Sequence, residues 1–204
     1  MRLLQEGAEA RVFQARDKVH GLVALKKRTR KPYRVKELDD ELMRQRTRKE
    51  ARLLVEAKNA GVRVPIVYSV HPSEGVLVTE FFEGKKARDS LSKENAERVC
   101  REVGENIAKM HSSGFTHGDL TTSNIFLLSG EKNRVAFIDF GLGKTTNELE
   151  EFAVDLLNLK KTLNATHSRL YEAAWKSVLK GYSSVIHSGI ESKIEEIEKR
   201  ARYL

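Results

Sequence analysis

A small β-rich part followed by a larger, mainly helical part, an α+β architecture, is what this sequence predicts. Three observations carry that prediction. Short apolar runs bounded by turn residues dominate the first 82 positions. Stretches with apolar residues three and four apart dominate the remainder. No repeat, low-complexity tract or flexible linker divides them.

At 204 residues the chain suits one domain or two small lobes around a cleft, and a chain of this size buries about 70% of its unfolded surface. With 40% hydrophobic and 32% charged residues, collagen-like and wholly disordered readings are excluded. Apolar runs are no longer than four residues, as in Ile125 to Leu128 and Val135 to Ile138, too short for a transmembrane helix. The first seven residues carry no apolar core of a signal peptide. Cys100 stands alone, so no intrachain disulfide is possible and a reducing, cytoplasmic compartment is expected.

In chain order, Val12 to Arg16 and Leu22 to Lys26 flank Lys18-Val19-His20-Gly21 and predict a hairpin. A basic segment from Lys26 to Lys36 follows, interrupted by Pro32. Glu37 to Ala60 contains no Gly or Pro and predicts one long helix that stops at Gly61. Val76 to Phe82 predicts a strand. Ser92 is placed to cap a helix whose apolar positions Ala96, Val99, Cys100, Val103, Ile107 and Met110 share a face. Two short strands, Ile125 to Leu128 and Val135 to Ile138, flank the turn-forming Ser129-Gly130. Helical patterns then run over Phe152 to Leu163 and Tyr171 to Tyr182. A final one carries Ile190, Ile194, Ile197, Ala201 and Leu204.

Lys and Arg number 37 against 29 Asp and Glu, a net +8. Such an excess suits a polyanionic ligand such as a nucleotide or nucleic acid, or simply a solvated basic surface. The chemistry is concentrated in His117-Gly118-Asp119-Leu120-Thr121-Thr122-Ser123-Asn124. There Asp119 and Asn124 stand five positions apart, as Asp and Asn do in the catalytic loop of kinases. Phosphoryl transfer needs this pairing: a carboxylate takes the nucleophile's proton while an amide oxygen holds a metal ion. Fifteen positions after Asn124, directly behind a strand, comes Asp139-Phe140-Gly141, whose carboxylate suits Mg²⁺. Either Asp alone would pass as a turn cap; their order, with strands between, points to kinase chemistry.

Upstream, Val23-Ala24-Leu25-Lys26 matches the strand-borne lysine that pairs with ATP phosphates. Its expected helical partner is Glu50, three and four residues before Leu53 and Leu54, with Glu41 and Glu56 as competitors. Gly7-Ala8-Glu9-Ala10 stands where a phosphate-covering loop belongs, with a single glycine. Glu80 to Phe82 is placed to form an inter-lobe hinge that offers backbone groups to adenine.

These residues, with the stretch from Lys26 to Arg34, Leu38-Asp39, Ala153-Val154-Asp155-Leu156 and Thr166-His167, resemble the small atypical kinase/ATPase subunit of the KEOPS complex, the PRPK family. The resemblance spans nearly the whole chain. It implies a bilobal protein-kinase-like fold with an N-lobe over 1–82 and a reduced C-lobe over 83–204. It also implies ATP and Mg²⁺ as cofactors, a threonylcarbamoyl transferase subunit as partner, and a role in forming threonylcarbamoyladenosine on tRNA. Asp119 would serve as catalytic base with Lys26 on the phosphates. Gly7, Ala8, Glu9, Ala10, Glu50, Glu80 and Phe82 would line the ATP site, and Asn124 and Asp139 would hold the metal. The alternatives are a RIO-type or antibiotic-phosphotransferase-like kinase, and a non-catalytic scaffold for partner and tRNA.

Two departures from ordinary protein kinases bear on activity. The peptide-docking segment after Asp139-Phe140-Gly141 is nearly absent. Position 121 is Thr where a lysine often stands, which removes one phosphate partner and points to slow turnover. Asp155 is placed to hydrogen-bond the catalytic loop's backbone. The basic run from Lys26 to Lys36 and the tail bases Lys199, Arg200 and Arg202 are open to two readings, solvated faces or tRNA contacts. His111 and His117 read as structural, since no partners stand at zinc spacing.

Overall fold

A computed structural model describes residues 1–130, 135–186 and 189–201. Five strands form the first sheet: β1 (Arg2–Glu6), β2 (Ala10–Asp17), β3 (Gly21–Arg28), β4 (Val67–His71) and β5 (Val76–Glu80), ordered β1-β2-β3-β5-β4 and antiparallel throughout. The hairpin between β2 and β3 turns because Asp17 Oδ1 accepts from the N–H groups of Val19 and His20, a local bond that Asp makes readily. β1 carries no sequence signal: all five of its residues are exposed, so no alternation marks it.

Helix α1 (Lys36–Asn59) crosses the sheet. Asp39, Met43, Thr47, Glu50, Leu54 and Ala57 are buried on it, at spacings of four, four, three, four and three. Glu50 therefore occupies a core-facing position, whereas Glu41 is exposed and Glu56 only half-buried. A three-residue strand β6 (Gly84–Lys86) and the single-turn helix α2 (Ala87–Ser90) lead into α3 (Ala96–Ser112). Ser92 does not cap α3. Asn95 precedes the helix, and its Oδ1 accepts from the Ser92 N–H in a turn ahead of it.

β6 joins β7 (Ile125–Leu128) and β8 (Val135–Phe137) in a small antiparallel sheet. Three helices complete the chain: α4 (Leu149–Thr166), α5 (Tyr171–Ser183) and α6 (Ile190–Ala201). Packing of α3 on α5 depends on two glycines. A Cβ on Gly104 would lie 2.0 Å from the Val178 carbonyl oxygen, and one on Gly181 2.0 Å from that of Arg101. The apolar stripe of α6 packs inward, with Ile190 and Ile194 buried and Ile197 against the core; each buried Ile contributes about 1.5–3 kcal/mol. Leu204 and Arg202 lie outside the described residues.

One apolar core runs from Leu53, Leu54 and Ala57 of α1 through Leu77 to α3, α4 and α5. A separate small cluster of Phe82, Leu128 and Ala136, with Phe126 and Ile138 against it, lies beneath the cleft between the two sheets. Among the described residues no helix is long and apolar enough to cross a membrane.

Candidate active site

β3 brings Lys26 to the cleft, α1 brings Glu50, and the residues after β8 bring Asp139. Lys26 Nζ donates to Glu50 Oε1 at 2.7 Å and to Asp139 Oδ1 at 2.6 Å. Burial would push the ammonium down, but the two carboxylates more than offset it and Lys26 lies above its ordinary value. Asp139 lies below its own: burial raises it, and Lys26 and the Gly141 N–H outweigh that. Asp139 also holds a left-handed backbone, φ 64°, which Asp tolerates better than most residues at a cost of about 1–2 kcal/mol. That conformation puts its Oδ1 within reach of both Lys26 and the Gly141 N–H, the latter at 3.2 Å.

The catalytic loop is built from beneath. Asp155, in the second turn of α4, accepts from the backbone N–H groups of His117 at 2.8 Å and Gly118 at 2.9 Å, the role expected of it. Burial raises its carboxyl, but His111, His117 and these donors hold it below the usual range. Nε2 of His111 donates to the same carboxylate at 3.3 Å, and Tyr182 hydroxyl meets His111 Nδ1 at 3.0 Å. His117 contacts the Ile138 carbonyl through Nε2 at 3.0 Å and accepts from the Asp119 N–H through Nδ1, so both histidines are structural. Gly118 has φ +83°, and a Cβ there would lie 2.3 Å from the Leu142 carbonyl; no larger residue fits. Residues 114–116 bind the short segment after Gly141 through Thr116 N–H to Lys144 O and Thr146 N–H to Gly114 O.

Above the loop, Asn124 Nδ2 donates to Asp119 Oδ2 at 2.8 Å and to the Asp119 carbonyl at 2.9 Å. This orientation leaves Asn124 Oδ1 and Asp139 Oδ2 without a hydrogen-bond partner among the described residues. Both residues line the same cavity. One carboxylate and one amide oxygen, completed by substrate phosphates, is the hard oxygen set that Mg²⁺ takes, so the residues fit that ion.

The cavity holds about 330 Å³ between the sheets. Lys26, Glu50, Asn124 and Asp139 line its polar end; Val12, Ala24, Leu77, Phe126 and Ile138 line its apolar end. Lys86 Nζ donates to Gln5 Oε1 at 3.0 Å at its edge, joining β6 to β1. At the hinge, the Glu80 carboxylate is taken by both terminal nitrogens of Arg63, at 2.6 and 2.8 Å, which holds it below the usual carboxylate range against burial. The Glu80 N–H also donates to Ile66 O. Glu80 is therefore part of the wall, while the Phe82 backbone makes no hydrogen bond among the described residues.

The structure does not bring two expected features into the cavity wall. Gly7, Ala8, Glu9 and Ala10 form the β1–β2 turn but do not line the cavity; Glu9 pairs with Arg46, and Ala8 O accepts from Lys31. Asp119 stands beside the cavity through Asn124 rather than lining it.

Much of the basic run faces its own chain. Arg28 pairs with Glu50, Arg30 with Asp40 and Arg34 with Asp39. Arg200, half exposed, likewise pairs with Glu150 of α4 at 3.0 Å. Sequence reasoning missed Arg28 and Tyr182 as parts of the site. The spacing of Arg28, two positions past Lys26 on a strand, was the available signal.

Residues 1–171 match the protein kinase domain family. A relative named KEOPS complex subunit Bud32, from Pyrococcus abyssi, is 40% identical and is covered over 96% of its length by all of this chain. A probable bifunctional tRNA threonylcarbamoyladenosine biosynthesis protein from Methanothermobacter thermautotrophicus is 44% identical over 98% of this chain, which spans only 36% of that relative. Among solved structures, the Rio2 kinase–ADP/Mg²⁺-phosphoaspartate complex from Chaetomium thermophilum has a TM-score of 0.68 at 16% identity, covering all of this chain and 71% of that one, a likeness of fold alone. With the lysine, loop and metal-type residues in kinase order and a full-length match at 40% identity, the chain belongs to the protein kinase domain family and, within it, to the family of the KEOPS subunit Bud32.

Proposed function

We propose that this chain is an atypical serine/threonine kinase and ATPase that works as a KEOPS subunit in the threonylcarbamoyladenosine modification of tRNA. The observation that carries the catalytic half is Lys26 bridging Glu50 and Asp139 on the wall of a cavity whose other end is apolar. The apolar end and the unbonded Phe82 backbone suit adenine, and Lys26 suits the phosphates. The Ala8 and Glu9 N–H groups make no hydrogen bond among the described residues, which supports Gly7 to Ala10 as a phosphate cover.

In the proposed reaction, Asp119 Oδ2, oriented by Asn124, accepts the proton of water or of a Ser/Thr hydroxyl. The nucleophile's oxygen bonds to the γ-phosphorus as the β–γ bridging bond breaks and ADP leaves. A magnesium ion held by Asp139 and Asn124 would neutralise charge on the phosphate oxygens. Thr121 brings no cation, so turnover is slow. The partners implied are a threonylcarbamoyl transferase subunit, other KEOPS subunits and tRNA.

The test is ATP hydrolysis by the chain alone, then with the transferase subunit, then with tRNA added. Turnover that rises along this series and vanishes in Asp139→Ala is expected. Unchanged turnover in Asp139→Ala would overturn the assignment, and no turnover under any condition would leave a scaffold.

A further inference from the structure

We infer that Arg63 is a positioning residue for the nucleotide base: its side chain clamps the hinge from outside the cavity and so sets the Phe82 backbone groups that adenine would meet. The inference rests on the nucleotide reading of the cavity and adds to it the residue that holds its adenine end.

The chain passes between the two sheets once, from Glu80 at the end of β5 to Gly84 at the start of β6. Glu80, Phe81 and Phe82 line the cavity, whereas Arg63, in the loop between α1 and β4, does not. The Arg63 guanidinium makes two separate bonds to the Glu80 carboxylate, Nη1 to Oε2 at 2.8 Å and Nη2 to Oε1 at 2.6 Å. The same guanidinium lies over the Phe82 ring, 4.7 Å from its centre, and that ring also packs with Leu128 and Ala136. The Arg63 carbonyl accepts from the Phe137 N–H of β8 at 2.9 Å. One residue therefore ties the end of the first sheet, the hinge and the second sheet together.

Phe82 needs that support. Its N–H and carbonyl make no hydrogen bond among the described residues, so the backbone alone does not fix them. A donor and an acceptor bind a base well only when their positions are set beforehand, because ordering them on binding costs affinity. Charge is the lesser part of the clamp. With side-chain exposures of 24% and 21%, the ion pair gains little by attraction alone. Two parallel bonds fix the guanidinium's plane, and a fixed plane stacks on the Phe82 ring. A lysine at 63 would keep the charge and lose the plane.

The test measures adenosine and ADP affinity by isothermal titration calorimetry in the wild type, Arg63→Met and Arg63→Lys, with ATP KM and kcat under the conditions that give turnover. Adenosine carries no phosphate and so reports the base end by itself. Arg63→Met should weaken adenosine and ADP by the same factor, about tenfold, and raise the ATP KM alike, while kcat at saturating ATP stays within about twofold. Arg63→Lys should fall between, with a loss of about threefold. Should Arg63→Met fold poorly, Arg63→Lys against wild type gives the same comparison. Unchanged adenosine affinity in both variants, ADP binding by the wild type with none of adenosine, or a fall in kcat at unchanged KM would overturn the inference while leaving the nucleotide reading intact. If the wild type binds neither adenosine nor ADP, the nucleotide reading fails and this inference falls with it.

Discussion

Glu50 on α1 and Asp155 on α4 are both buried carboxylates, both beside the candidate catalytic residues, and both fully hydrogen-bonded, yet their partners differ in kind. Glu50 is held by two side-chain cations, one of which faces a cavity. Asp155 is held by two backbone N–H groups and a buried histidine, and it does not line the cavity that Lys26 lines. Side-chain cations stand on flexible stems; backbone donors do not. The upper site therefore sets charged side chains against the cavity, and the lower one fixes the loop that carries Asp119.

The comparison is broken most severely at Asp155. Asp155→Ala should cost about 3–5 kcal/mol of stability in urea unfolding, because two buried N–H groups and His111 lose their acceptor. If Glu50→Gln destabilises as much, the two carboxylates do not differ in the way stated. Glu50→Gln should instead leave most of the stability and lower ATP turnover about 10–100-fold.

A pH series sharpens the contrast. The folded carboxyl of Asp155 lies below its unfolded value, about 3.9, so its contribution is complete above about pH 4 and fades as pH falls through the folded value. The stability difference between wild type and Asp155→Asn should shrink on acidification below pH ~4 and stay level above it. A difference that grows on acidification would reverse the sign argued here.

The smallest effect belongs to Tyr182→Phe, which removes one hydroxyl from His111 and should cost about 1 kcal/mol with turnover unchanged. Lost turnover at intact stability would show the tyrosine acting through the loop on Asp119.

Most elements were legible because each leaves a local trace: the hairpin through the apolar runs around Lys18 to Gly21, α1 through its helix formers free of Gly and Pro, α6 through its isoleucines. β1 was not, since all of its side chains are exposed and it is held to β2 by the backbone ladder and one exposed ion pair, Glu6 with Arg11. Ser92 looked like a cap because the sequence shows a polar residue before a periodic run, but the turn made by Asn95 delays the helix.

The sequence by itself determined the candidate residues whose spacing is set by the chain: Lys26 at a strand end, Asp119 and Asn124 five positions apart, and Asp139 two before a glycine. Only the tertiary structure decided which charges meet. Glu50 prevails over Glu41 and Glu56 because its side of α1 faces the sheet. Arg28, Arg30, Arg34 and Arg200 find acids on other elements, so a run that reads as free surface charge is largely paired. His111, Asp155 and Tyr182 stand 44 and 27 positions apart along the chain, and three packed helices make them neighbours. Spacing along a backbone is a local property and can be read in one dimension. Electrostatic partnership depends on distance in space, which the packing of the core alone provides.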